Sequence, residues 1–248
     1  MNHYQKLLTD VSAGKKKFAV LIDPDKYTMA YLEEVVRLSM DAGVDYFFLG
    51  GSLLIKDSMD LFISYIKDTS AIPLLLFPGN NIQLNNQADG ILLLSLISGR
   101  NPDMLIGRHV ISAPYLKASK LEIIPTGYML IESGRTTAVT YMSNTLPIPS
   151  HKTDIASCTA LAGEMLGMKL IYMDAGSGAE NPVPAPMIRK VKDSIALPLI
   201  IGGGITTPDL ARKAFDAGAD VVVVGNAIEN DPGLIARIAE TRPFGQNK

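Results

Sequence analysis

Three glycine-rich stretches carry the strongest chemical signal in this chain of 248 residues. Gly202-Gly203-Gly204-Ile205-Thr206 and Gly225-Asn226-Ala227-Ile228 each follow a short apolar run. Consecutive glycines let backbone N–H groups come close to an anion, and a helix starting just beyond adds the positive end of its dipole. A third loop, Gly176-Ser177-Gly178, adds a hydroxyl and follows Tyr172-Met173-Asp174-Ala175. Together they suggest a phosphate cradle. Tyr172 and Asp174 alternate with Met173 and so share one side of an extended segment. Asp174 is either a base or the cap of its own turn. Asp23-Pro24-Asp25-Lys26 sets two carboxylates beside a cation, and Gly50-Gly51-Ser52 offers another close-approach turn with a hydroxyl. Hard oxygen ligands, few in number and completed by substrate phosphates, suit Mg²⁺, which could carry a diphosphate. The plainer reading of Asp-Pro-Asp is a turn or a helix cap.

These residues need a frame that brings distant loops to one place. Eight short apolar runs recur: Phe18–Ile22, Asp45–Leu49, Pro73–Phe77, Ile91–Leu94, Leu121–Pro125, Lys169–Met173, Leu197–Ile201 and Asp220–Val224. Apolar on both faces, they suit a parallel sheet covered by helices. Thr207-Pro208-Asp209 reads as a capped helix start with Gly218 after the last turn, and Asp231-Pro232 opens a final helix. Strand and helix alternating eight times predict one α/β domain over residues 1–248, a (β/α)₈ TIM barrel. An open doubly wound sheet is the alternative. In a barrel the loops after the strands carry function, and phosphate sites commonly follow strands seven and eight. Both principal glycine loops fall there.

Two departures from the regular barrel are visible. The gap from Pro78 to Gly90 is short and rich in Asn and Gln, so the third helix is expected to be missing or replaced by an extended segment. The long interval before the sixth run holds Tyr128–Ile131, Glu132-Ser133-Gly134 and Thr136–Tyr141, which read as a small hairpin.

Composition limits the alternatives. Lys+Arg 23 against Asp+Glu 25 leaves a net charge of −2, with no basic excess for nucleic acid. A 47% hydrophobic and 19% charged chain is no disordered scaffold. No apolar run is long enough to span a bilayer, and Met1 to Lys17 lacks a signal-peptide core. The single cysteine, Cys158, is expected in the core, and a reducing cytoplasm is the simplest location. His3, His109 and His151 show no metal spacing, while Arg100 and Lys117 read as solvated charges.

In this order, Asp23-Pro24-Asp25-Lys26, Gly50-Gly51-Ser52, Tyr172…Gly176-Ser177-Gly178-Ala179, Gly202-Gly203-Gly204-Ile205 and Gly225-Asn226 resemble the geranylgeranylglyceryl phosphate synthase family. That family includes bacterial heptaprenylglyceryl phosphate synthases. The resemblance runs from about Phe18 to Ile228. It implies a modified barrel without a proper third helix and a Mg²⁺-dependent prenyltransferase. The reaction would join sn-glycerol 1-phosphate to a polyprenyl diphosphate, with geranylgeranyl the expected donor, giving an ether-lipid precursor. It implies Asp23 and Ser52 as metal ligands. Tyr172, Met173, Asp174, Ala175, Gly176, Ser177, Gly178, Gly203, Gly204, Gly225 and Asn226 would hold the glycerol phosphate, with Tyr172 and Asp174 at the chemistry. Many members have glutamate where this chain has Asp174. The family also implies a homo-oligomer, touching membranes at most peripherally through its lipid product. The rival readings are a sugar-phosphate isomerase or aldolase and a non-catalytic phosphate-binding subunit.

Overall fold

Alternation within each short strand splits the apolar residues into two layers, and that division builds the fold. The computed structural model describes residues 2–56, 58–81 and 83–243; residues 1 and 244–248 of the expected domain lie outside the described residues. In chain order the elements begin α1 (His3–Ser12), β1 (Lys17–Ile22), α2 (Met29–Asp41), β2 (Tyr46–Leu49), α3 (Met59–Thr69), β3 (Leu74–Leu76) and β4 (Gly90–Leu96). A π-helical turn (Asp103–Gly107) leads into α4 (Arg108–Ala118), β5 (Glu122–Leu130), α5 (Ala138–Ser143) and α6 (Thr153–Met165). The chain continues with β6 (Leu170–Asp174), α7 (Ala185–Lys192), β7 (Leu199–Gly202) and α8 (Pro208–Asp216). It closes with β8 (Val221–Val224), α9 (Asn226–Asn230) and α10 (Leu234–Ala239).

All eight strands are parallel and in sequence order, and β8 pairs with β1 from Lys17↔Val221 to Val20↔Val224. The barrel is closed. Phe18, Val20 and Ile22 of β1 face the helices, together with Phe47, Leu49, Leu74, Leu76, Ile171 and Met173. Ala19, Tyr46, Phe48, Leu75, Leu92, Tyr128, Tyr172, Ile200 and Val223 fill the interior. A strand with both faces buried must be apolar throughout, which is why eight uninterrupted runs were legible. Thr207 caps α8 by accepting from the Leu210 N–H, as its sequence suggests. The last helix starts at Leu234, three residues later than Asp231, and buries Leu234, Ile235 and Ile238.

The amino-terminal end is closed by α1, which the sequence did not announce. Tyr4 and Leu7 enter the lower barrel. Its first amides, His3 N–H and Tyr4 N–H, donate to the Glu122 carboxylate at 2.7 and 3.0 Å. A carboxylate at a helix start is stabilised by hydrogen bonds and by the dipole together.

Among the described residues between β3 and β4 there is no helix, as the short gap predicts. An extended strap replaces it, and its amide side chains do the work of helical hydrogen bonds. Asn85 Nδ2 donates to Asp60 on α3 at 2.6 Å, and Gln87 Oε1 accepts from Ser64 at 3.3 Å. Gln83, only 1% exposed, donates to the Gly51 carbonyl at 2.8 Å and accepts from Gly79 N–H at 3.1 Å.

Two expectations are corrected. There is no hairpin over Tyr128–Tyr141. β5 runs on through Pro125 to Leu130, because Tyr128 and Leu130 reach the barrel interior and Thr126–Leu130 pairs with Leu170–Asp174. The chain then bends at Gly134-Arg135, and Ala138–Ser143 forms α5. Cys158 is exposed rather than in the core. Ala156 and Ala160 are the buried face of α6, and a residue two positions from each lies about 200° around the helix.

Candidate active site

The carboxyl ends of β1, β2, β6, β7 and β8 open on a cleft of about 290 Å³ in which charged side chains and backbone amides stand among apolar surface. Asp23, Ser52, Tyr172, Asp174, Gly176, Ser177, Gly178, Gly203, Gly204, Gly225 and Asn226 all line it. Two predicted residues do not. Met173 and Ala175 point to the opposite face of β6 and are buried among the helices, because side chains alternate along a strand.

The glycine loops present backbone donors. Gly176, Gly178, Gly203 and Gly204 all have φ between +70° and +91°, the left-handed region that glycine enters freely. Among the described residues the amides of Gly178, Gly203, Gly204 and Gly225 donate to no protein acceptor. Free N–H groups converging on a cleft make an anion site. The glycine at 203 is needed for a reason other than ligand access: a Cβ there would stand 2.5 Å from Gly176 N and 2.6 Å from Asp174 Oδ1. The close packing is between loops.

Asp174 sits 8% exposed on an aromatic floor. Tyr172 stacks on Phe77 at 5.1 Å between centroids and contacts Tyr128 at 5.6 Å. Tyr128 Oη donates to Asp174 Oδ2 at 2.5 Å, and Gly176 N–H donates to Oδ1 at 2.8 Å. Thus Asp174 does cap its own turn, and the residue also lines the cleft. Burial pushes its carboxyl above the usual range, while the bonds from Tyr128 and Gly176 pull it down. Burial likewise raises the hydroxyls of Tyr128 and Tyr172 well above their ordinary value. Tyr172 Oη has no hydrogen-bond partner in the protein among the described residues, so it is available to a ligand.

On the facing side, the two carboxylates of Asp23-Pro24-Asp25 divide. Asp25 accepts from Ile55 and Lys56 N–H at 2.7 and 2.8 Å, so it anchors the loop after β2. Asp23 faces the cleft. Its Oδ1 accepts from Asp25 N–H at 3.1 Å, and Oδ2 lies 3.7 Å from Lys26 Nζ. Lys26 also reaches Glu229 at 3.3 Å and Ser177 Oγ at 3.4 Å, tying together the loops after β1, β6 and β8. Burial raises the carboxyls of both Asp23 and Glu229, with Lys26 opposing it in each. One lysine shared by two partly buried carboxylates leaves room for a further cation, and a hard donor set of Asp23 with Ser52 suits Mg²⁺. Among the described residues no group of three or more His, Cys, Asp or Glu is arranged to hold a metal unaided, so substrate oxygens would have to complete the shell.

Beside the cleft lies an apolar pocket of about 150 Å³, with Leu84, Ile91, Leu93, Met104, Leu116 and Met142 in its wall. It occupies the space uncovered where the helix after β3 is replaced by the strap. Gly51, Ser52, Phe77, Tyr128 and Val139 line both spaces, so the two adjoin. Sequence reasoning missed Tyr128, Gln83, Glu229 and Arg108. The first was legible as a strand residue in phase with an interior position; the others depend on loops whose course only the fold sets.

A closed parallel barrel with glycine loops after strands six to eight and carboxylates at the mouth defines a phosphate-binding (β/α)₈ barrel of enzyme type. The chain belongs to the PcrB family, which it matches over residues 11–242. Geranylgeranylglyceryl phosphate synthase of Spirosoma linguale is 51% identical over 236 residues, covering 95% of each chain. The protein of the same name from Pyrococcus abyssi is 41% identical over 226 residues, covering 91% of this chain and 89% of its own. In structure, (S)-3-O-geranylgeranylglyceryl phosphate synthase of Thermoplasma acidophilum, solved in complex with its substrate sn-glycerol-1-phosphate, superposes with a TM-score of 0.92. The two share 31% identity, with 97% of this chain and 98% of that one covered.

Proposed function

We propose that the chain is a prenyltransferase that joins sn-glycerol 1-phosphate to a polyprenyl diphosphate, with geranylgeranyl the expected chain. The observation that carries this reading is that the two spaces adjoin: the amide-lined cleft shares Gly51, Ser52, Phe77, Tyr128 and Val139 with an apolar pocket. A sugar-phosphate isomerase or aldolase has no use for the second. The family membership and the named relatives support the same reading.

The free amides of Gly178, Gly203, Gly204 and Gly225 bind the glycerol phosphate, and Ser177 and Asn226, hydrogen-bonded to each other, complete that wall. Tyr172 and Asp174 hold the attacking hydroxyl. Its oxygen bonds to C1 of the prenyl chain as the bond from C1 to the diphosphate breaks, and Asp174 takes the hydroxyl proton. Fixing the hydroxyl through its phosphate makes the encounter local, worth a large share of the barrier. Asp23 and Ser52 would hold Mg²⁺, which when bound neutralises charge on the leaving diphosphate. The apolar pocket takes the tail.

No helix among the described residues is long and apolar enough to cross a membrane. The proposed enzyme is cytoplasmic and meets membranes only through its lipid product. Exposed Val110, Ile111 and Tyr115 on α4 support a homo-oligomer. The test is incubation of the purified chain with geranylgeranyl diphosphate and either enantiomer of glycerol phosphate, with and without Mg²⁺, and mass spectrometry of the lipid fraction. A prenylglyceryl phosphate made from the 1-phosphate, and suppressed by chelation, is expected. Absence of any ether product overturns the proposal.

A further inference from the structure

A donor whose tail fills the apolar pocket and whose C1 meets a hydroxyl in the polar cleft must place its diphosphate at the waist between them. The residues common to both spaces, Gly51, Ser52, Phe77, Tyr128 and Val139, carry no positive charge. Among the described residues two lysine or arginine side chains line these spaces: Lys26 in the cleft and Arg108 in the apolar pocket. Lys26 is engaged with Glu229, Ser177 and Asp23. Arg108 is not so engaged.

Arg108 opens α4, directly after the π-helical turn. It forms no ion pair with a carboxylate among the described residues; its Nη1 donates to the Gly79 carbonyl at 2.7 Å. Gly79 in turn packs on the loop after β2, where a Cβ would stand 2.3 Å from the Gly51 carbonyl oxygen and 2.9 Å from Ser52 Cα. Gly79 thus links the guanidinium to the loop that bears Ser52, and both Arg108 and Ser52 line the apolar pocket. A guanidinium carries five N–H donors in a fixed fork suited to phosphate oxygens, and one donor is used here. Stapling the strap needs a neutral donor only. A charge facing an apolar wall without a counter-ion is costly unless an anion arrives.

Resting on the prenyltransfer reading, we propose that Arg108 binds the diphosphate of the prenyl donor from the side opposite Asp23. It is a donor-binding residue, supplying the positive charge that the waist itself lacks.

The test is equilibrium binding, without turnover, of geranylgeranyl diphosphate, geranylgeraniol and inorganic pyrophosphate to the wild type, Arg108→Gln and Arg108→Lys. Loss of charged hydrogen bonds predicts roughly 10–100-fold weaker binding of both diphosphates to Arg108→Gln, with Arg108→Lys intermediate. Affinity for geranylgeraniol should stay within about twofold, since the tail keeps its wall. In steady state, KM for the donor should rise while KM for glycerol 1-phosphate holds. Equal weakening of diphosphate and alcohol would make Arg108 a strap staple and overturn the proposal, as would unchanged diphosphate affinity in Arg108→Gln. A wild type that binds no prenyl diphosphate would overturn the prenyltransfer reading itself, an outcome distinct from a working wild type matched by its variant.

Discussion

Asp174 caps its own turn, and on the proposed reading it is also the base, so its two oxygens must be considered separately. One oxygen caps the turn through Gly176 N–H and the other takes Tyr128 Oη. Asp174→Asn keeps the size but cannot accept a proton, so kcat should fall roughly 10²–10⁴-fold with little change in glycerol phosphate affinity. The stability sign is opposite. Burial raises this carboxyl in the folded chain, so its favourable contribution belongs to pH below its unfolded value and is lost as pH rises through the folded one. At neutral pH Asp174→Asn should therefore leave the thermal midpoint unchanged or higher. A lowered midpoint with normal turnover per folded molecule would return Asp174 to turn-capping alone. Tyr128→Phe removes a bond that favours the carboxylate. The acid limb of kcat should then move to higher pH. An unmoved limb in the pH profile would detach the proton transfer from Asp174.

At the scale of elements, the strap after β3 is the decisive departure from a regular barrel. A helix there would cover the space that the apolar pocket occupies. The strap stays in place through side-chain amides, Gln83 above all, which bonds to Gly51 and Gly79 together. Gln83→Ala leaves buried backbone groups unpaired and should cost about 1–3 kcal/mol in urea unfolding. It should also raise KM for the prenyl donor more than for glycerol phosphate, because the loop bearing Ser52 loses its support. Equal effects on both substrates would show that Gln83 serves general stability only. The expected hairpin fails at this scale as well. Tyr128 belongs to a strand paired along Thr126–Leu130, and Thr137, which packs against Gly176, leads into α5.

For the whole molecule, function and stability occupy opposite ends of the barrel. The carboxyl ends carry the loops; the amino end is closed by α1, seated on Glu122. Near it, Lys17 lies between Asp10 at 2.8 Å and Asp45 at 3.0 Å. Burial alone would raise Asp10, but hydrogen bonds from Lys17 and Lys6 outweigh it and hold the carboxyl well below its usual range. Glu122→Ala removes the acceptor for two helix-start amides and should lower stability by about 1–2 kcal/mol, read as a drop in thermal midpoint. Turnover per folded molecule should not change. A fall in kcat would mean that the amino-terminal end is coupled to the site.

The sequence by itself determined the eight-strand barrel, since a strand buried on both faces has to be apolar throughout and eight such runs stand out. It also determined the glycine loops at the strand ends, because left-handed backbone at Gly176, Gly178, Gly203 and Gly204 demands glycine, and it marked the missing helix by a gap too short to hold one. Only the tertiary structure decided which groups meet. Asp25 went to loop anchoring while Asp23 faced the cleft, Met173 and Ala175 turned to the helices, and Tyr128 came to Asp174 from a residue 46 positions away. Those outcomes depend on barrel register and loop course, which bring together residues far apart in the chain. Local periodicity records which face a side chain takes, but not its partner across the barrel.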